Sequence, residues 1–211
     1  MKLLTYWMTT ILLALSSACG AQDMQPGRDY TLVSPPMATA KDKIEVIEFF
    51  SYGCSHCNEF NPVITKWVEK LPKDVSFKKV PVAFSDRWIP FSKLFFALQM
   101  TGEFEKLDTA AFNAIHKERV IFNSDESIIE WAVKKGVDRK KIAEAVSSFS
   151  MPVQLERAKA AAVSAKITGV PSILVDGKFL AINTSTDGTW DSYLKTTDGL
   201  IAKARQERKT K

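Results

Sequence analysis

Side chains that bind transition metals are scarce in this sequence, which has three cysteines and two histidines. A structural zinc site needs about four nitrogen or sulfur ligands. Beyond residue 20 the only such candidates are Cys54, Cys57, His56 and His116. His56 lies in the same turn as the two cysteines, and His116 falls on an amphipathic pattern typical of a structural histidine. We therefore expect no metal site.

Long hydrophobic runs are also missing. A membrane-spanning helix takes about 20 apolar residues, and the run from Leu3 to Leu15 is too short. It follows Lys2 and precedes the small residues of SSACGAQ, which is the order found in a secretory signal peptide. We predict that residues 1–20 are such a signal, cleaved after Gly20, and that the protein is exported. Lipid attachment at Cys19 is the alternative.

The sequence has no internal repeat, no low-complexity block and little net charge. Beyond residue 20, 28 basic and 24 acidic side chains give +4, and residues 195–211 alone carry six basic and two acidic groups, also +4. We interpret this basic tail as the solvated end of a helix. Contact with a membrane surface or with nucleic acid is the alternative, and we expect no nucleic-acid partner.

The first half of the chain shows a strand–helix–strand pattern. IEVIEFF, residues 44–50, is rich in β-branched and aromatic side chains and predicts a buried strand. Apolar spacing predicts a helix from Cys54 to about Leu71, which Pro62 should kink. Residues 75–84 predict a second strand, and together these elements form a βαβ unit. Residues 22–42 are interpreted as an extended lead-in.

Helical patterns dominate from residue 88 to residue 149. Within this block Asn123 is the predicted N-cap of a helix that stops at Gly136, and Asp138 is the predicted cap of the next. Pro152 then opens a long helix to about Lys166. After it, the Asp176-Gly177 dipeptide between two short apolar runs predicts a β-hairpin, and a last helix begins near Thr189.

The segment FFSYGCSHCNEF, residues 49–60, contains a C-x-x-C pair. Export implies an oxidising compartment, and the loop that Cys54 and Cys57 close is too small to stabilise a fold effectively. A cysteine at a helix N-terminus faces unpaired N–H groups and the positive end of the helix dipole, which favour its thiolate. We predict that Cys54 is the exposed nucleophile and that Cys57, facing inward, attacks mixed disulfides formed at Cys54. His56 can donate an N–H or place a positive charge beside the Cys54 sulfur.

The chain resembles the thiol:disulfide interchange proteins of the DsbA type. The strand before C-x-x-C, the helical block and the segment TGVPSILVDGKF, residues 168–179, carry this resemblance over essentially the whole chain beyond the signal. It implies an α/β thioredoxin fold with an inserted α-helical domain. Ser55 stands where the family commonly has proline, which leaves the redox potential open. The implied organisation is a signal peptide (1–20), a thioredoxin-like domain in two parts (21–87 and 151–211) and a helical insertion (88–150).

The resemblance also implies further site residues. Glu48 occupies the position of a buried acid that relays a proton to or from Cys57, unless it is a strand-end residue without a role. Lys79 either pairs with Glu48 or is a surface lysine. Val170 and Pro171 match the family's cis-proline loop, where the Val170 backbone would pair with an extended substrate. An ordinary trans turn is the alternative.

The function implied is that of a periplasmic dithiol oxidase of bacteria. It would introduce disulfide bonds into reduced exported proteins through the Cys54–Cys57 disulfide, without another cofactor. A membrane quinone-linked reoxidase of the DsbB type would restore the pair, and the enzyme is expected to be a monomer.

A disulfide isomerase or a reductase of the same superfamily is the enzymatic alternative. Isomerases of this kind usually carry a separate N-terminal dimerisation domain, and about twenty residues beyond the signal are too few for one. The reductases generally lack so large a helical insertion. A non-catalytic peptide-binding module, in which the cysteines are incidental, is the alternative from another class.

Overall fold

The computed structural model describes residues 24–183 and 189–210. The predicted signal peptide, residues 1–20, and Cys19 lie outside this part of the chain. The strands are β1 (Tyr30–Leu32), β2 (Ile44–Phe50), β3 (Val75–Pro81), β4 (Ser172–Val175) and β5 (Phe179–Ala181). The helices are α1 (Ser55–Val68), α2 (Ile89–Thr101), α3 (Phe104–His116), α4 (Asp125–Lys134), α5 (Arg139–Val146), α6 (Ser150–Ser164) and α7 (Trp190–Lys209), and a short 3-10 helix (Asp86–Trp88) precedes α2.

The five strands form one mixed sheet in the order β1-β5-β4-β2-β3. β2 pairs in parallel with β3 and antiparallel with β4, so the strand that leads into the cysteine turn lies inside the sheet. Its side chains alternate between two apolar layers. Val46 packs with side chains of α1 and α7, whereas Ile47 and Phe49 pack with alanines of α6. The sheet is therefore covered on both faces, and the end of β2 is enclosed by packed side chains.

The helices between β3 and β4 build a core of their own that is continuous with the cysteine turn. Phe50, Tyr52 and Cys57 belong to the same buried cluster as the inward faces of α2, α3, α4 and α5. Tyr52 makes edge-to-face ring contacts with Phe50 and Phe112, at centroid distances of 5.2 and 4.9 Å. The helical block thus packs directly against the residues that surround the buried cysteine.

The structure adds one strand to those predicted. β1 lies within the segment interpreted as an extended lead-in, and it pairs antiparallel with β5. It is only three residues long, and its partner is about 150 residues away in the chain, so no local alternation distinguishes it. β3 also ends at Pro81, earlier than residue 84, because its partner β2 ends at Phe50, whose carbonyl oxygen accepts the last bond from the Val82 N–H at 2.7 Å.

Three predicted helix boundaries need correction, one of them at α6, which begins at Ser150 rather than at Pro152. α1 ends at Val68 rather than near Leu71, and it continues through Pro62. α4 is capped by Ser124 instead of Asn123, because the Ser124 and Ser127 side chains each bond the other's backbone N–H.

The prediction for Asp138 is confirmed, since its carboxylate accepts from the Lys141 N–H at 2.9 Å. Asp176 and Gly177 both have positive φ in the β4–β5 turn, as the predicted hairpin requires.

The basic C-terminal helix makes structural ion pairs near its end. Arg205 bonds the carboxylate of Asp74 at 2.7 Å, and Arg208 bonds the buried Asp176 and the backbone carbonyl of Ala40, the latter at 2.9 Å. Part of the basic tail therefore fastens α7 to the sheet. In the described part of the chain, no helix has the length and apolar character needed to cross a bilayer.

Candidate active site

Cys54 occupies the N-cap of α1. Its backbone is extended, with φ −90° and ψ 122°, and its Sγ accepts a hydrogen bond from the Cys57 N–H at 3.4 Å. The pKa of the Cys54 thiol is lowered from 9.0 to about 6, chiefly by a hydrogen bond from the Cys57 thiol. Burial opposes this shift, while the backbone N–H groups of Cys57 and His56 add to it. Cys54 is thus ionised at neutral pH because the first turn of the helix donates to it.

Cys57 is fully buried within the shared core. Burial raises the pKa of its thiol far above the usual range, and the negative Cys54 sulfur beside it acts in the same direction. Both cysteines are free thiols in this structure. The pair therefore combines an accessible thiolate with a protected, protonated thiol one turn along the same helix.

Of the two roles predicted for His56, the described contacts show no ring N–H donated to the Cys54 sulfur, whereas a positive charge that lowers the Cys54 pKa is present. The His56 side chain is 69% exposed, and its Nδ1 lies 3.5 Å from the Glu59 Oε2. Its charge is the smallest of the named contributions that lower the Cys54 pKa. The His56 ring lies beside the Glu59 carboxylate because side chains three residues apart are neighbours on a helix surface.

The loop before β4 brings Val170 and Pro171 against the cysteines. The Val170–Pro171 bond is cis, in agreement with the expected loop. The Cys54 Sγ lies 3.3 Å from the Val170 carbonyl oxygen, to which the thiol donates in its protonated form. This contact joins residues 116 positions apart, and β4 makes it possible by pairing antiparallel with β2 immediately after the loop.

Glu48 on β2 and Lys79 on β3 are paired across the sheet, and their side chains are almost completely buried. The Lys79 Nζ is 3.7 Å from the Glu48 Oε2, and the side chains are 6% and 0% exposed. Burial raises the pKa of Glu48 to about 7, and the nearby Lys79 ammonium limits the rise. The surface position considered for Lys79 is therefore wrong. Glu48 is poised between its acid and its carboxylate form at neutral pH.

Three further residues of this buried cluster were not predicted. The Lys79 ammonium donates to Asp108 of α3 and to Asn61 of α1, both at 2.9 Å. The Tyr52 hydroxyl donates to the other carboxylate oxygen of Asp108 at 2.8 Å. No spacing in the sequence connects Asp108 with the cysteines, since only the docking of the helical block brings them together. A polar residue on the otherwise apolar α1 face, Asn61, was the one available signal.

His116 is a structural residue, as predicted. Its Nε2 lies 2.7 Å from the backbone carbonyl oxygen of Tyr52 and its ring stacks on Phe112. Among the described residues, no three histidine, cysteine, aspartate or glutamate side chains form a group that could hold a metal ion.

An apolar cavity of about 660 Å³ lies beyond the end of β3. Its walls come from the loop after β3, from α2 and from α6, and include Val82, Phe84, Ile89, Leu155, Val163 and Ile167. Neither cysteine lines it. The sequence did not predict it, because its walls are distant from one another in the chain.

Comparison with known proteins gives a consistent result across sequence and structure. Residues 88–191 match the DSBA-like thioredoxin domain, and residues 37–88 match thioredoxin. The Thiol:disulfide interchange protein DsbA of Burkholderia cepacia is 40% identical over 179 residues, which are 82% of this chain and 84% of that protein. The protein of the same name from Pseudomonas aeruginosa PAO1 is 37% identical over 201 residues, 93% and 95% of the two chains.

Solved structures of similar proteins have the same architecture. The crystal structure of Pseudomonas aeruginosa DsbA has a TM-score of 0.81 at 37% identity, covering 87% of this chain and 95% of that chain. The oxidoreductase DsbA from Xylella fastidiosa has a TM-score of 0.80 at 28% identity, covering 86% and 98%. The predicted thioredoxin fold with an inserted helical domain is confirmed.

Proposed function

The chain belongs to the DsbA family and is a thiol:disulfide oxidase, and from this premise we propose how its residues divide the reaction and where it takes place. The observation that carries the proposal is the contrast between the two sulfurs. Cys54 is accessible and acidic at the helix terminus, whereas Cys57 is buried and protonated. The mixed disulfide that a substrate forms with Cys54 is resolved easily towards the substrate disulfide, because Cys54 is a stable leaving thiolate.

The reaction begins from the oxidised pair. A substrate thiolate attacks the Cys54 sulfur, a bond forms between these two sulfurs, and the Cys54–Cys57 bond breaks with its electron pair on Cys57. The second thiolate of the substrate then attacks the substrate sulfur of the mixed disulfide, and Cys54 leaves as a thiolate. The substrate loses two electrons and gains a disulfide, and the pair is reduced. The electron carrier is the Cys54–Cys57 pair itself.

Glu48 supplies the proton for Cys57 in this scheme. The Cys57 sulfur released in the first step is buried, where an unprotonated thiolate is costly. Glu48 has a pKa of about 7, so it can give a proton at this step and accept it again when the pair is reoxidised. Transfer runs directly or through a water molecule.

Val170 and Pro171 form the substrate-binding edge of the site. The Val170 carbonyl lies against Cys54, next to the point where β4 begins. An extended substrate segment can pair with this backbone in the manner of an added strand. Main-chain pairing is independent of side-chain identity, which suits an enzyme for many substrates.

We further propose that residues 1–20 export the protein to the bacterial periplasm, where it acts as a monomer on reduced exported proteins. A membrane quinone-linked enzyme of the DsbB type would accept the two electrons from the reduced pair. Cell fractionation tests the location, and incorporation of labelled fatty acid, with Cys19→Ala as the control, tests the lipoprotein alternative.

The function is tested by refolding reduced ribonuclease with the oxidised protein. We expect stoichiometric formation of ribonuclease disulfides, lost in Cys54→Ala, while binding of an unfolded peptide by Cys54→Ala is unchanged or weakened modestly. If oxidation by wild-type protein is absent and peptide binding alone is observed, the chain is a binding module and the proposal is wrong.

A further inference from the structure

The Lys79 ammonium is shared unequally among three oxygen atoms. It makes hydrogen bonds to Asp108 and Asn61, both at 2.9 Å, while the Glu48 oxygen lies 3.7 Å away. The aromatic rings of Phe50 and Phe112 cover the same ammonium at 4.5 and 5.4 Å. Lys79 is therefore directed towards the helical insertion and only secondarily towards the sheet acid.

Glu48 has no hydrogen-bond partner among the described residues, although both of its carboxyl oxygens are buried. Asp108, in contrast, accepts from Lys79 and from the Tyr52 hydroxyl. Two carboxyl groups thus face one ammonium, and a second negative charge here would be buried and unpaired. A proton shared by the two acids is therefore held by Glu48, whose oxygens accept no hydrogen bond from the described residues, rather than by Asp108.

We propose that Asp108 is a positioning residue that favours the acid form of Glu48 by holding Lys79, so that the helical insertion sets the pH range of proton exchange with Cys57. The inference rests on the proposed role of Glu48 as the proton relay. It gives the insertion a chemical part in the reaction, carried by a side chain that touches neither the cysteines nor the substrate.

Five ionisable groups interact with Glu48, and together they agree with this assignment. Lys79 reaches it from β3, Asp108 from α3, Cys57 from α1 and Tyr52 from the end of β2. Tyr193 reaches it from α7. Burial raises the pKa of Cys57 and of both tyrosines, so all three are neutral near pH 7. Burial is the largest influence on Glu48, and Lys79 and Asp108 are the charged groups that act on it in opposite directions.

The sign of each substitution follows from this arrangement. Asp108→Asn removes the competing negative charge and frees Lys79, which should move the Glu48 titration to lower pH by about one unit or more. Lys79→Gln removes the cation and should move it to higher pH by a similar amount. A purely structural disturbance that admits water would move both towards the ordinary value.

The experiment is a carboxyl titration of the full-length reduced protein by difference infrared spectroscopy. Subtracting the spectra of Glu48→Gln isolates the Glu48 signal. Tyr52→Phe is the matched control, because it removes a hydrogen bond to Asp108 and keeps its charge. Asp108→Ser serves as a second variant if Asp108→Asn does not fold.

The proposal is supported if Glu48 titrates at lower pH in Asp108→Asn and at higher pH in Lys79→Gln. Asp108→Ser takes the place of Asp108→Asn if that variant does not fold. An unmoved or upward titration in the Asp108 variant overturns the proposal. The pH profile of Cys57 release from a mixed disulfide separates this inference from the role of Glu48. If the Glu48 titration moves and the profile does not, Asp108 positions the acid but Glu48 is not the relay.

Discussion

The Cys54 sulfur lies 3.3 Å from the Val170 carbonyl oxygen. The nucleophile and the backbone that should bind the substrate are therefore adjacent before any substrate arrives. A substrate strand paired with Val170 would pass directly over the Cys54 sulfur. Such preorganisation favours a mixed disulfide at Cys54, because the reacting sulfurs are brought together by main-chain pairing.

Replacing Cys57 should trap this mixed disulfide. Cys57→Ala removes the protected thiol and leaves the nucleophile in place, so mixed disulfides with exported proteins should accumulate in cells. Cys54→Ala should accumulate none, because Cys57 is buried. Non-reducing electrophoresis measures both. Equal yields from the two variants would contradict the division of roles.

Replacing His56 should change the Cys54 thiol only slightly. The imidazole is exposed and faces Glu59, so solvent screens its effect. His56→Leu should raise the Cys54 pKa by less than about one unit. Glu59→Gln, which removes the neighbouring negative charge, should lower it. Thiolate absorbance against pH measures both variants, and a rise of several units in His56→Leu would assign the histidine a larger part.

A side chain at Gly53, in the turn before Cys54, should lower the stability of the fold. A Cβ there would lie 2.4 Å from the Phe91 ring, whereas one at Gly169 meets nothing within 4 Å. Gly53→Ala should lower the free energy of unfolding by ~1–3 kcal/mol through overpacking. Gly169→Ala is the control and should change it less. Urea denaturation measures both, and Gly53→Ala combined with Phe91→Leu should recover part of the loss.

The stability of the reduced protein should depend on pH through Cys54. Its pKa is about 6 in the fold against 9.0 ordinarily. Such a depressed pKa gives stabilisation that is complete above the unfolded value and is lost as pH falls through about 6.

Calorimetry on both redox forms measures this dependence. The unfolding free energy of the reduced form, relative to the oxidised form, should rise between pH 6 and pH 9 by at most ~1.4 kcal/mol per unit, and by less than that because Cys54 is partly exposed to solvent. The disulfide contributes about 2 kcal/mol to the oxidised form through chain entropy, independently of pH. A difference that stays constant over this range would contradict the assigned thiolate.

The sequence predicted the local parts of this site. The apolar β2 and the C-x-x-C at the start of α1 are adjacent in the chain, so their geometry follows from strand and N-cap chemistry. Glu48 and the loop at Val170 came from the family resemblance. Asp108 was missed because it reaches the cluster only through docking of the helical block, and β1 because three residues show no period. The division of the chain at residues 87, 88, 150 and 151 stays a prediction.

The direct test of the central claim is the equilibrium of the Cys54–Cys57 pair with glutathione. Because the Cys54 thiolate stabilises the reduced form, the pair should be more oxidising than thioredoxin, whose potential is about −270 mV. In a glutathione buffer poised at about −200 mV, we predict that alkylation and mass spectrometry find the pair mostly reduced. A pair found mostly oxidised, with a potential close to that of thioredoxin, would make this protein a reductase and contradict the account.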